Sequence, residues 1–398
     1  MKPKTAAAAM AKAGYDIVVE GKAKIAVPKY SGKVVSSGMP VFYNPVMKLN
    51  RDITILLMAA AANVYGIKKW NIADAMAATG IRGLRILLEN VGCGVESLKM
   101  NDYSSAAVAL IKKNLKLNRI ITGGKASTSE NEANKFLLNN RNFNYIDIDP
   151  FGYPGIFLDA AAKKIMHNGI LAVTATDTSA LAGTAPAACR RKYMAVPMKN
   201  SFMHETGIRI LIRLVQLFGA VHEKALIPVF SYYKDHYIRA FFLCETGAHR
   251  VDKLLDKHRE MLYCRNCCEK MIMENEGVKC SGCGEKLQKA GPVWVGNLFD
   301  RALAGKMEEA ANKFMDNKTK NFLATIAEEA KHETKTGAGF YAIGELCEKN
   351  KVARQPKTSD IIKRLRQQGY AASATHCSTT GIKTNATAKQ AANAVTGR

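Results

Sequence analysis

Between residues 69 and 245 the chain alternates several times between short apolar runs of period two and longer segments of helical spacing. WNIADAM (Trp70–Met76), VESLKMND (Val95–Asp102), KASTSENEA (Lys125–Ala133), NYIDID (Asn144–Asp149) and GILAVTATD (Gly169–Asp177) read as strands. Between them GLRILLEN (Gly83–Asn90), SAAVALIKKNLKLN (Ser105–Asn118, opened by a serine cap) and GIFLDAAAKKIMHN (Gly155–Asn168) read as helices. ALIPVFSYYKDHYIRAFFLC (Ala225–Cys244) reads as one or two late strands. A helix between two strands carries the chain back to the end of the sheet it started from, so such strands run parallel. The predicted fold of this region is α/β, a mostly parallel, doubly wound sheet. Ligands of such sheets sit beyond the carboxyl ends of the strands.

Those ends carry acids in chain order. In NYIDIDPFGYP (Asn144–Pro154), Ile146 and Ile148 share one face, and Asp147 and Asp149 the other. Pro150 cannot donate to a sheet ladder and stops the strand, and Gly152 lets the chain turn. Asp149 and Phe151 are therefore predicted at the rim. The second strand ends at Asn101-Asp102 and the third near Glu132-Ala133-Asn134. Any one of these acids suits a helix cap or a turn. The ordered series suits an adenosine ligand, with Asp102 on ribose and the Glu132 region on adenine. The turn from Asp74 to Gly83 lacks G-x-G-x-x-G, yet Gly80 and Gly83 would let backbone approach a ligand closely. An acid-proline-aromatic tip fits methyl transfer to an exocyclic amine. The lone pair of such an amine is delocalised into its ring and is a poor nucleophile. A carboxylate and a backbone carbonyl that accept its N–H protons localise the lone pair and aim it, while the aromatic ring stacks on the base. A paired base must be flipped out to reach such a tip.

Beyond residue 247 the pattern changes. YCRNCCEKMIMENEGVKCSGCGEK contains Cys264-x-x-Cys267 and, after twelve residues, Cys280-x-x-Cys283, a zinc-ribbon spacing. Gly282 and Gly284 suit the second knuckle, and Cys268 is a spare neighbour. Four thiolates leave no open coordination position, so the metal is read as structural. Five of the ten cysteines, Cys93, Cys189, Cys244, Cys347 and Cys377, lie singly along the chain, as in a reduced cytoplasmic protein. The 398 residues allow two or three domains, and 58 basic against 34 acidic residues give a net charge of +24, which favours a polyanionic partner. Two basic stretches suit phosphates: Lys349–Tyr370, whose helix IIKRLRQQ is closed by Gly369, and CRRKY (Cys189–Tyr193). No membrane span is predicted. ITILLMAAAANVYGI (Ile53–Ile67) is too short and reads as a buried helix, and the alanine-rich start, broken by Lys12, lacks the apolar core of a signal peptide. The last residues, TAKQAANAVTGR, lack a core pattern and are expected to fray.

One family ties these stretches together. EGKAKIAVP (Glu20–Pro28), VFYNPVMKLNRD (Val41–Asp52), DAMAATGIRGLR (Asp74–Arg85), IDIDPFGYP, TDTSALAG (Thr176–Gly183), HETGIRIL (His204–Leu211), DHYIRAF (Asp235–Phe241), GPVWVGNLFD (Gly291–Asp300) and ATHCSTTGIKTNA (Ala374–Ala386) follow one another as in the tRNA (guanine-26) N2-dimethyltransferases, the Trm-one family, which the chain resembles from about Glu20 to Ala386. The resemblance implies a class I (Rossmann-like) S-adenosylmethionine-dependent methyltransferase domain over residues 1–247, with an N-terminal extension. It also implies a C-terminal α+β tRNA-binding domain over 248–398, with the zinc ribbon at 264–283. By the same resemblance Arg51 and Arg82 contact the cofactor, Asp102 holds its ribose, and Glu132 and Ala133 border its adenine. Asp149 holds the target amine, and Phe42 and Phe151 stack the flipped guanine. Where the family usually has Asp this chain has Glu132, and where it often has Ser this chain has Tyr153. The implied partners are S-adenosylmethionine, structural zinc and tRNA, with no membrane and no obligate protein partner. Two other readings stand beside this one: a DNA adenine or cytosine amino-methyltransferase, and a non-catalytic zinc-containing RNA-binding module.

Overall fold

The structure, a computed structural model, describes residues 14–29, 41–89, 91–273 and 279–397. The reading of the alanine-rich start as no signal peptide falls on residues 1–13, outside the described ones. The fold forms two compact units. The first comprises residues 1–150, 157–173 and 313–315, and the second 151–156, 174–312 and 316–398.

The first unit opens with an antiparallel hairpin, β1 (Tyr15–Glu20) and β2 (Ala23–Pro28). Helix Lys48–Val64 follows, buried over Leu49–Met58 and Ala60–Ala62, as its apolar run predicts; no described helix is long and apolar enough to cross a membrane. The sheet contains β3 (Lys69–Asp74), β4 (Gly94–Asp102), β5 (Ala126–Glu130), β6 (Phe143–Ile148) and β7 (Ile165–Ala175), adjacent in the order β5-β4-β3-β6-β7, with every one of these pairings parallel. The strands run outward from β3 in one direction and return from β6 in the other. The order thus reverses between β3 and β6, where open α/β sheets open a crevice. Asp74 and Asp147 are register partners across that junction.

Local chemistry explains the elements. A serine caps helix Ser105–Leu117, as expected, but it is Ser104, one residue before the expected segment, that accepts from Ala107 N. Gly80 begins helix Ile81–Leu88 in the left-handed region, at φ 77°. Gly83 serves packing: a Cβ there would stand 2.7 Å from Met100 Sδ, so the bare backbone lets the helix settle on β4. The segment expected as helix from Gly155 to Asn168 is helical over its first ten residues, a 3-10 turn at Gly155–Phe157 followed by an α-helix at Leu158–Lys164. Ile165 already pairs with Phe143, and the sheet takes the last four residues into β7.

In the second unit β8 (Lys224–Lys234) and β9 (Tyr237–Thr246) form one long antiparallel hairpin, the two late strands expected. Two small sheets follow: β10 (His258–Tyr263), β11 (Lys270–Ile272) and β12 (Gln288–Trp294) in the order β11-β10-β12, then β13 (Tyr341–Ala342), β14 (Ala372–Thr375) and β15 (Ser378–Thr384) in the order β13-β15-β14. The fraying expected of the last residues is not found over Thr387–Gly397. Ala388–Thr396 is a helix with a complete capping box between Thr387 and Gln390, and it buries Ala391, Ala394 and Val395. The motifs HETGIRIL and ATHCSTTGIKTNA meet in a buried ionic cluster. Lys383 Nζ lies 3.2 Å from Glu205 and 3.3 Å from Glu329, Arg209 lies 2.8 Å from Glu205, and His376 Nδ1 lies 2.8 Å from Glu329. Burial pushes the Glu205 carboxyl up, but Lys383 and Arg209 outweigh it and hold the group down at about 2. These charges join helix Met203–Ala220, helix Asn317–Thr336 and the β14–β15 hairpin, which is a structural role.

Candidate active site and metal centre

The carboxyl edge of the first unit is held together by backbone-to-side-chain bonds among the strand tips. Asn101, at the end of β4, donates through Nδ2 to the carbonyls of Ala75 (3.1 Å) and Asn131 (2.9 Å) and accepts from Ser129 Oγ (2.8 Å). One side chain thereby spans the tips of β3, β4 and β5. Its neighbour Asp102 is 8% exposed; its carboxylate accepts from Ala78 N at 2.9 Å and Ser104 N at 3.0 Å, fixing the turn after β3. Glu132 is exposed and caps helix Ala133–Leu138, accepting from Asn134 N and Lys135 N at 2.9 Å each, so its carboxylate does the work of a helix cap here. Ala133 is buried.

Asp149 follows β6 directly, with its side chain 22% exposed, and forms an ion pair with Arg82 Nη2. The same guanidinium donates from Nη1 to Asn50 Oδ1 (2.8 Å) and Thr54 Oγ1 (2.9 Å), and its Nε lies 3.6 Å from Asp147. Asp147 also accepts from Tyr145 Oη at 2.8 Å, which puts Tyr145 and Asp147 on the face opposite Ile146 and Ile148, as the alternation predicts. Both faces are buried, because the strand is central. Arg82 thus links Asn50, Thr54, Asp147 and Asp149 at the order reversal. Arg51 is engaged elsewhere: its Nε and Nη2 grip Glu20 at 2.6 Å each, and Nη2 reaches the Asn44 carbonyl at 3.1 Å. Burial alone would raise Glu20, but Arg51 and Arg85 outweigh it and keep its carboxyl below the ordinary value. Phe42 is half-buried, and Phe151, at the start of the second unit's first segment, is 61% exposed.

Sequence reasoning passed over Asp74. It is 4% exposed, and burial together with Asp147 pushes its carboxyl up to about 7. Its Oδ2 has no hydrogen-bond partner among the described residues, and neither has the buried Asn50 Nδ2 or Thr79 Oγ1. Unpartnered buried polar atoms at the reversal point fit a polar, cationic ligand that would satisfy them. The signal for Asp74 was present in the sequence, since it is the first acid of the strand-tip series. The Arg82–Asp149 pair had no such signal.

In the second unit Cys264, Cys267, Cys280 and Cys283 bring their four sulfurs within 4.8 Å of one another. Two of the separations are 3.4 and 3.5 Å. Tetrahedral zinc–thiolate bonds of about 2.3 Å place sulfurs about 3.8 Å apart, so the set fits a zinc ion. The two knuckles repeat one backbone design. Cys264 N donates to the Glu269 carbonyl and Cys280 N to the Glu285 carbonyl, while Cys268 N and Gly284 N return to the carbonyls of Cys264 and Cys280. Cys268 (φ 65°) and Gly284 (φ 77°) hold the same left-handed position. Cys268 is therefore a knuckle residue and lies outside the four-sulfur group.

The family described as N2,N2-dimethylguanosine tRNA methyltransferase matches residues 21–396. A tRNA (guanine(26)-N(2)/guanine(27)-N(2))-dimethyltransferase of Aquifex aeolicus is 41% identical over 355 residues, 87% of this chain and 88% of the relative. A tRNA (guanine(26)-N(2))-dimethyltransferase of Methanosphaera stadtmanae is 37% identical over 93% of each chain. The solved structure of Trm1 from Pyrococcus horikoshii with S-adenosyl-L-methionine superposes with a TM-score of 0.80 at 34% identity, covering 96% of this chain and 99% of that one.

Proposed function

The chain belongs to the N2,N2-dimethylguanosine tRNA methyltransferase family, and on that premise we propose that it methylates the exocyclic 2-amino group of guanosine 26 of tRNA, giving N2,N2-dimethylguanosine. The observation that carries this reading is the Arg82-paired Asp149 carboxylate beside Pro150, at the sheet's order reversal. S-Adenosylmethionine supplies an electrophilic methyl group on a sulfonium. Asp102 would hold its ribose, Glu132 and Ala133 would border its adenine, and Arg51 and Arg82 would face its carboxylate end. Asp74, pushed up to about 7 by burial and Asp147, is the acid that a nearby cation would draw into its ionised form.

The protein's own groups then prepare the nucleophile. Asp149 accepts one N–H of the amine and the Pro150 carbonyl the other, which localises the lone pair and aims it. Phe42 and Phe151 stack the extruded base. The Asp149 carboxylate would take the proton that the nitrogen sheds on methylation and pass it to water, while the electron pair of the broken S–C bond would stay on sulfur as a neutral thioether. In the same reading residues 1–247 carry the chemistry and 248–398 bind tRNA, with zinc held by Cys264, Cys267, Cys280 and Cys283 as a structural brace. The protein acts in the cytoplasm and requires no protein partner. Mass spectrometry of nucleosides from treated tRNA tests the assignment. N2,N2-dimethylguanosine at position 26 is expected, whereas methyl groups on adenine or cytosine of duplex DNA would favour the DNA-modifying reading.

A further inference from the structure

Tyr153, which stands where the family often has Ser, has a definite setting in the second unit. Contacts at Gly152 and Tyr153 fasten the segment Phe151–Ile156. Gly152 exchanges bonds with Thr176: its N–H donates to Oγ1 at 2.6 Å and its carbonyl accepts from Thr176 N at 3.1 Å. Tyr153 then lies back over Gly155, where a Cβ would stand 1.9 Å from its hydroxyl oxygen, so only glycine fits beneath the ring. From there the hydroxyl donates to the Lys192 carbonyl at 2.6 Å, in the last turn of helix Pro186–Tyr193. The ring stands edge-on to the buried Tyr193, with centroids 5.0 Å apart at 81°. Lys192 Nζ lies 5.9 Å from the centre of the Tyr153 ring and 2.8 Å from Asp177 Oδ2.

That helix carries Arg190, Arg191 and Lys192 in its last turn, all exposed. The hydroxyl of Tyr153 therefore ties the exposed Phe151, two residues away, to a cluster of cations suited to phosphates. We propose that Tyr153 is a positioning residue that couples phosphate contacts at Arg190 and Arg191 to the placement of Phe151 against the target base. The inference rests on the proposed function. Its physical content is that backbone contact with RNA at the helix restrains the loop through one hydroxyl-to-carbonyl bond, and the stacking ring is thereby set before chemistry. Loosening that bond costs base placement while leaving RNA affinity intact.

The test measures methyl transfer into a tRNA transcript under single-turnover conditions, with tRNA and cofactor affinities measured separately. Tyr153→Phe keeps the ring and deletes the hydroxyl. It is expected to lower the transfer rate by roughly tenfold while tRNA and cofactor affinities stay within about twofold of wild type. Arg190→Gln with Arg191→Gln is expected to weaken tRNA binding by about tenfold and also to slow transfer from the saturated complex. The two changes are expected not to multiply in rate: once Tyr153 is Phe, the arginine changes add little beyond the affinity loss. Three outcomes overturn the coupling: an unchanged rate in Tyr153→Phe, rate losses that simply multiply, or a loss matched by lowered thermal stability and cofactor affinity, which marks a merely structural tyrosine. Wild-type protein that transfers no methyl group to tRNA overturns the functional reading itself, and this inference with it.

Discussion

At the tip of β6 one guanidinium serves two carboxylates, Asp147 and Asp149, and close by the Oδ2 of a third, Asp74, has no hydrogen-bond partner among the described residues. The consequence is sharpest at Asp74. Its carboxyl ordinarily titrates near 3.8; here burial first, then Asp147, with Asp149 and Asp102 adding to them, raise it to about 7 against the opposing pull of Arg82. The folded protein therefore holds a proton that the unfolded chain has lost between pH about 4 and 7. Folding stability contributed by this group falls as pH rises through that window, because the native state binds more protons there. A cationic cofactor favours the ionised form, so its affinity is expected to rise as pH increases from about 6 to 8, with proton release on binding near pH 6. Calorimetry in two buffers of different ionisation enthalpy checks this, and Asp74→Asn is expected to flatten the pH dependence. The position of Asp149 was legible from the sequence, because period-two alternation ending in proline leaves few places for that side chain. Its pairing with Arg82 was not, since 67 residues separate the two and no local pattern encodes the contact.

Among the elements, the two knuckles make a comparison within one molecule. Cys268 occupies a left-handed position that its counterpart fills with Gly284. Cys268→Gly is expected to keep one zinc per chain and to raise stability by up to about 1 kcal/mol, whereas Cys280→Ser is expected to lose the metal and lower the melting temperature. Metal analysis with thermal denaturation separates the two. The buried cluster around Lys383 makes a harsher prediction. Lys383→Met leaves Glu205 and Glu329 facing each other with less compensation, and a loss of about 3–5 kcal/mol is expected in chemical denaturation. None of this clustering was legible in advance, because histidine, glutamate and lysine in separate motifs read as surface residues until tertiary structure gathers them. The final helix was legible in part. Thr387 and Gln390 spell its capping box, but the alanines it buries give too weak an apolar signal to reveal a packed face.

For the whole molecule, the excess of positive charge signals its partner class before any fold is known, and it predicts how binding responds to salt. Affinity for tRNA is expected to fall by about a thousandfold between about 50 and 200 mM salt if six or more phosphates are neutralised, and a change below about threefold contradicts an electrostatic footprint of that size. The doubly wound sheet was legible because strand–helix repetition constrains topology so tightly. The β1–β2 hairpin, which holds Arg51 through Glu20, was not, because a short two-stranded element has too little periodic sequence to announce itself. The account as a whole stands on the carboxylate beside Pro150 acting on the target amine. The most direct measurement is single-turnover methyl transfer to tRNA by Asp149→Ala, with cofactor affinity measured in parallel. The expected result is a rate lowered by at least about a hundredfold with cofactor affinity largely retained; transfer at the wild-type rate would contradict it.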